Sequence, residues 1–181
     1  MNLPSDISKV IPPLKDGDRI LGSPNATIIL MKYGDYQCPQ SAQAHFTVKV
    51  LQQRLGDQLC FVFRHFPQKQ IHPQAQRAAE SAEAAGVQGK FWQMHDTLFT
   101  HQQTLADSDL VEYAAGLELD IPRFLQELSG RVHAERVQSD INSGKKHGVE
   151  ETPTFFIGIC HKGTQNLEIL LMSIQEMTTV K

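Results

Sequence analysis

Hydrophobic residues fall in two rhythms along this chain. Ala26 to Tyr33 (ATIILMKY) and Leu59 to Phe66 (LCFVFRHF) are short, nearly continuous runs of apolar and β-branched residues. Such runs are apolar on both faces and predict central strands covered by other layers on each side. Between them the pattern changes. Gly34-Asp35-Tyr36-Gln37 breaks the first run, and Pro39 suits the first turn of a helix, where a missing N–H removes no hydrogen bond. Ala42, Phe46, Val50 and Leu51 recur at helical spacing and predict that helix's buried face, and Gly56 closes it. Strand, helix, strand implies a right-handed crossover with two parallel strands.

Residues 68–148 then read almost wholly as helix. Pro73 predicts the opening of a helix rich in strong helix formers (AQRAAESAEAA). Phe91, Trp92, His95, Leu98 and Phe99 share one helical face and read as core. Asp107 and Asp120 predict N-caps of two further helices, the second with Pro122 in its first turn, and Val132 to Lys146 is another helix. Thr154 to Ile157 reads as a third strand, Ile159 to Lys162 as its hairpin partner, and Leu167 to Met177 as a last helix. Residues 1–25, rich in Pro, Asp, Lys and Gly, read as an irregular N-terminal arm. The order describes an α/β domain formed by 26–67 and 149–181 and split by a helical insertion at 68–148.

Composition narrows the function classes. A net charge of -3 and a pI near 6.2 leave no basic stripe for a phosphate backbone, so nucleic acid is not an expected partner. No apolar run approaches the roughly 18 residues of a membrane span, so no membrane insertion is expected. The first 25 residues lack the apolar core of a secretory signal. With Met1 at the start, the expectation is a cytoplasmic protein, exported only where a leader has been removed. The cysteines are Cys38, Cys60 and Cys160, with no zinc-type Cys-x-x-Cys pair. His95 and His101 do not share a helical face, so no metal site is expected. Glu80, Glu83 and Glu112 read as solvated helix faces.

Cys38 carries the chemistry. It sits where a central strand ends and a helix begins, and the free N–H groups and dipole of that helix end favour a thiolate. The residues around it match a known pattern. Tyr33-Gly34-Asp35-Tyr36-Gln37-Cys38-Pro39-Gln40-Ser41, Phe63-Arg64-His65-Phe66-Pro67, His72-Pro73, Gln88-Gly89-Lys90-Phe91-Trp92 with Met94-His95-Asp96, and Thr152-Pro153-Thr154-Phe155-Phe156-Ile157 resemble the DsbA-like thiol–disulfide oxidoreductases. The resemblance runs from about Leu21 to Ser173 and is nearest the branch found fused to sodium/proton antiporters.

The resemblance implies a thioredoxin fold with an inserted helical domain and a nucleophilic Cys38. It implies a cis peptide bond before Pro153, with Thr152 and Pro153 gripping an extended substrate beside Pro39 and Gln40. It also implies a second cysteine where Ser41 stands. A serine cannot resolve a mixed disulfide, so Ser41 makes this a monothiol variant that needs an external thiol. Its expected partners are protein or peptide thiols and disulfides, with glutathione as co-substrate and no bound cofactor. Cys60 and Cys160 lie too far along their strands to serve as resolvers and read as core or edge residues. Glu150-Glu151 stand where the family has glycine, and carboxylates there would oppose the helix dipole and favour basic substrates. The alternative is a redox-inactive thioredoxin-fold module that binds proteins or peptides in the same groove.

Overall fold

The computed structural model describes residues 11–159. In chain order the elements are β1 (Arg19–Leu21), β2 (Ile28–Gly34), α1 (Pro39–Leu55), β3 (Leu59–His65), α2 (Ala75–Val87), α3 (Phe91–Thr100), α4 (Asp107–Gly116), α5 (Ile121–Ser129), α6 (Ala134–Lys146) and β4 (Thr154–Ile159). The four strands form one sheet in the order β1-β3-β2-β4. The two continuous apolar runs thus become the two inner strands, and every residue of β3 is buried. Five helices separate β3 from β4, so the expected α/β sheet interrupted by a helical insertion is present.

The described residues separate into two compact units. One comprises 11–32, His45–Phe63 and 155–159. Its core is built by Ile28, Leu30 and Met31 of β2, Val48, Leu51 and Leu55 of α1, and Leu59 to Phe63 of β3. The other comprises Tyr33–Ala44 and Arg64–Thr154. There α2 packs against α3, α4, α5 and α6. A run of small buried residues on α2 (Ala75, Ala78, Ala79, Ala82, Ala84, Ala85) allows close approach to its neighbours. The Cys38 segment therefore clusters with the helical block.

Several expectations change. The N-terminal arm contains a strand, β1, which pairs antiparallel with β3 through Arg19–Phe63, Ile20–Val62 and Leu21–Phe61. Pro73 lies ahead of α2, which begins at Ala75. On α1 the buried positions are Ser41, His45, Val48, Leu51 and Leu55, whereas Phe46 is 56% and Val50 38% exposed. Two polar residues set the buried stripe at the start of that helix, so counting apolar residues alone picked the wrong face. Asp120 does cap α5, accepting the Arg123 N–H at 3.0 Å. Asp107 is no cap: Asp109 accepts the Ala106 N–H at 2.9 Å, and Asp107 binds the Arg77 guanidinium at 2.9 and 3.0 Å. The hairpin partner beyond Ile159, Cys160 and the helix at Leu167 to Met177 lie outside the described residues.

Glu80 and Glu83 are buried, contrary to expectation, because α2 is the central helix of its block. Glu83 meets His65 Nε2 at 2.9 Å and the Arg136 guanidinium at 4.0 Å. Glu80 accepts hydrogen bonds from Arg131 at 2.8 Å and Gln76 at 2.6 Å. Burial alone would push the Glu80 carboxyl up, but the bonds from Arg131 and Gln76 and the Arg77 charge outweigh it and hold the group below the usual glutamate range. Glu112 is exposed, as expected.

Candidate active site

The turn after β2 is built around one buried carboxylate. Asp35 is 1% exposed. Its Oδ1 accepts the Gln37 N–H at 2.8 Å, and its Oδ2 accepts the Gln68 N–H at 2.8 Å and lies 2.8 Å from His72 Nδ1. A short acidic side chain that captures the amide two residues ahead is an Asx-turn, and here it bends the chain so that α1 can start at Pro39. The Asp35 carbonyl accepts the Cys38 N–H at 3.2 Å.

Further contacts tie this turn to the insertion. The Gln37 and Gln74 side chains pair, with Gln37 Nε2 donating to Gln74 Oε1 at 3.1 Å and the Gln74 N–H donating to Gln37 Oε1 at 2.6 Å. Gln102 Nε2 donates to the carbonyls of Tyr36 at 2.7 Å and Cys38 at 2.9 Å. Buried Tyr36 meets His95 Nδ1 through its hydroxyl at 2.9 Å and packs on Phe99 at 4.8 Å between ring centroids.

Cys38 immediately precedes α1, and its carbonyl accepts the Ala42 N–H at 3.2 Å. Its Sγ lies 3.1 Å from the Thr152 carbonyl oxygen and 3.2 Å from Gln40 Oε1, both of which can accept from the single S–H. The residue is 3% exposed. The Thr152–Pro153 peptide bond is cis. Thr152 Oγ1 is buried without a hydrogen-bond partner among the described residues. Ser41, fully buried, accepts the Asp35 N–H at 3.4 Å. Cys38 and Cys60 are both buried.

A cavity of about 370 Å³ opens over the sulfur, lined by Cys38, Gln40, Gln68, Ile71, His72, Glu151, Thr152 and Pro153. Cys38, Gln40, Thr152 and Pro153 thus come together at this cavity, which Pro39 and Ser41 do not line. Of the two glutamates, Glu151 lines this cavity, whereas Glu150 lines a neighbouring groove of about 480 Å³. The roles of Asp35, Gln68 and Gln102 went unseen in the sequence. Asp35 had a local signal, a carboxylate in a turn straight after a strand, but Gln68 and Gln102 had none.

The sequence model of the family described as Thioredoxin matches residues 14–175. The chain belongs to the thioredoxin family. Among relatives, a Na(+)/H(+) antiporter, NhaA 1, of Salinispora arenicola is 40% identical over 169 residues, covering 93% of this chain and 26% of the relative. This thioredoxin-family chain therefore spans about a quarter of the length of the relatives it matches. Among solved structures, α-DsbA1 of Wolbachia pipientis superposes with a TM-score of 0.73 at 20% identity, covering 94% of this chain and 95% of that one. The thiol–disulfide exchange protein α-DsbA2 of the same organism gives 0.69 at 20% identity, covering 88% and 87%. These neighbours establish a DsbA-like thioredoxin fold with its helical insertion.

Proposed function

We propose that this chain is a thiol–disulfide exchange protein that works through one sulfur, Cys38. The observation that carries the reading is the placement of that sulfur at the start of α1, 3.1 Å from the Thr152 carbonyl and at the edge of an open cavity. A substrate strand laid along Thr152 would bring its own sulfur beside Cys38. Gln40 sits close enough to exchange a hydrogen bond with the thiol as the substrate arrives.

The chemistry follows from there being one thiol. Cys38 loses its proton and attacks one sulfur of a substrate disulfide. A Cys38–substrate disulfide forms, the old S–S bond breaks, and the departing sulfur takes up a proton. Ser41 has no sulfur with which to resolve this intermediate. An external thiol, glutathione or that of a protein, then attacks the substrate sulfur, forms a new disulfide with it, and returns Cys38 as the thiol. Two electrons move from the external thiol to the first leaving group, and the protein ends each cycle unchanged. A cytoplasmic setting with a reduced thiol pool would supply the resolving thiol. No cofactor takes part.

The test is turnover of a peptide–glutathione mixed disulfide, with the intermediate trapped and located by mass spectrometry. The expected adduct is on Cys38 and not on buried Cys60, and Cys38→Ser abolishes turnover. A Cys38→Ser protein as fast as the parent refutes the reading. One observation favours a redox-inactive binding module instead: Cys38 is 3% exposed, and two acceptors already surround its S–H. On that reading peptides bind the groove, no adduct forms, and alkylation of Cys38 stays as slow as that of Cys60.

A further inference from the structure

The charges around the sulfur are lopsided. Of the residues lining the Cys38 cavity, Glu151 and His72 bear ionisable side chains other than the thiol itself. His72 is committed to Asp35 at 2.8 Å. That pair is neutral when the imidazole is protonated and negative when it is not, so it adds no positive charge. Glu151 is exposed, and its backbone carbonyl accepts a bond from Thr154 Oγ1. Among the described residues, no lysine or arginine lines the cavity. Lys69 and Lys145 line the neighbouring groove, together with Glu150.

A cavity of this volume places every lining group within about one Debye length, ~8–10 Å, of its centre. An incoming substrate therefore meets the Glu151 carboxylate before much screening intervenes. We infer that Glu151 selects the substrate of Cys38: a polypeptide thiol or disulfide with Lys or Arg beside its cysteine. Glutathione carries two carboxylates against one ammonium and meets no lysine or arginine among the described lining residues, so of the two candidate resolving thiols that of a polypeptide is favoured. This inference rests on the reading of Cys38 as the exchanging thiol, and extends it from reaction to substrate class.

The experiment uses the whole chain and two peptide disulfides identical except for Arg or Glu next to the cysteine. The rate of Cys38 adduct formation is followed by quenched mass spectrometry at low and high salt. The expected result is a preference for the Arg peptide of about fivefold at low salt, which shrinks as salt rises. Glu151→Gln removes the preference, Glu151→Lys reverses it, and Glu150→Gln leaves it in place. Equal rates for the two peptides overturn the inference and leave the exchange reading intact. So does a loss in Glu150→Gln as large as in Glu151→Gln, since that would be bulk charge and not the cavity lining. Failure of either peptide to form an adduct removes the exchange reading itself, and this inference with it.

Discussion

Replacing Asp35 tests whether the turn that carries Cys38 is held by a single carboxylate. Asp35→Ala deletes three contacts at once: the bonds from the Gln37 and Gln68 amides and the pairing with His72, each at 2.8 Å. A hydrogen bond to a charged acceptor contributes about 1.5–3 kcal/mol, and a buried donor left unpaired costs a further share. Both amides are part-buried and water can reach the remains of the site, so the lower end applies, and the three together come to about 3–5 kcal/mol. That is a large fraction of the roughly 5–15 kcal/mol by which a domain is stable. With a urea m-value of about 2 kcal/mol/M, the midpoint falls by about 2 M. Asp35→Asn keeps one acceptor oxygen but turns an NH₂ group towards donors, and should lose about half as much. The assay is urea unfolding followed by circular dichroism, paired with the rate of iodoacetamide reaction at Cys38, which should rise in both variants as the turn loosens. A midpoint shift in Asp35→Ala below about 0.5 M, with an unchanged alkylation rate, would refute the idea that this carboxylate organises the site.

Other substitutions probe separate links. Ser41→Cys should confer dithiol activity, read as faster reduction of insulin disulfides than the parent shows; no gain would mean that the geometry around position 41 does not suit a disulfide. Gly144→Ala should destabilise by about 1–3 kcal/mol in thermal melts, because the added methyl would lie 2.8 Å from the Phe66 ring and 3.1 Å from Tyr33; the gain in helix propensity, at most about 1 kcal/mol, does not offset this. The Glu80 carboxyl titrates lower in the folded chain than in the unfolded one, so its contribution is present above the ordinary glutamate pKa and is lost as pH falls through the folded value. Stability measured from pH 7 down to pH 3 should therefore fall less steeply in Glu80→Gln than in the parent, and parallel curves would argue against the Arg131–Glu80 pairing.

What could be read from the sequence was local. The inner strands β2 and β3 announce themselves as unbroken apolar runs, and the Asp120 cap with Pro122 is complete within a few residues. The position of Cys38 at a strand-to-helix junction was legible for the same reason. Its meeting with Thr152 and Pro153 was not local, and only the family resemblance brought those segments together. Most of the failures are cases where a side chain outside the local pattern decides. β1 is three residues that become a strand because β3 offers an unpaired edge. Glu80 and Glu83 looked solvated because glutamate on an Ala-rich helix usually is, and their partners Arg131, Arg136 and His65 are remote in sequence, the arginines from the end of the insertion and the histidine from β3. Phe46 and Val50 face outward because Ser41 and His45, polar and buried, fix the rotation of α1.

The anchors of the turn have a practical bearing on any attempt to shrink this protein. Gln68, His72, Gln74 and Gln102 all belong to the stretch between the third and fourth strands, and each holds a group on residues 35–38. Excising that stretch to leave a minimal sheet-and-helix domain would strip the sulfur's backbone of its outside supports. The loops that flank the inserted helices act as the jig in which Cys38 is clamped, so the insertion cannot be trimmed away as a separable ornament.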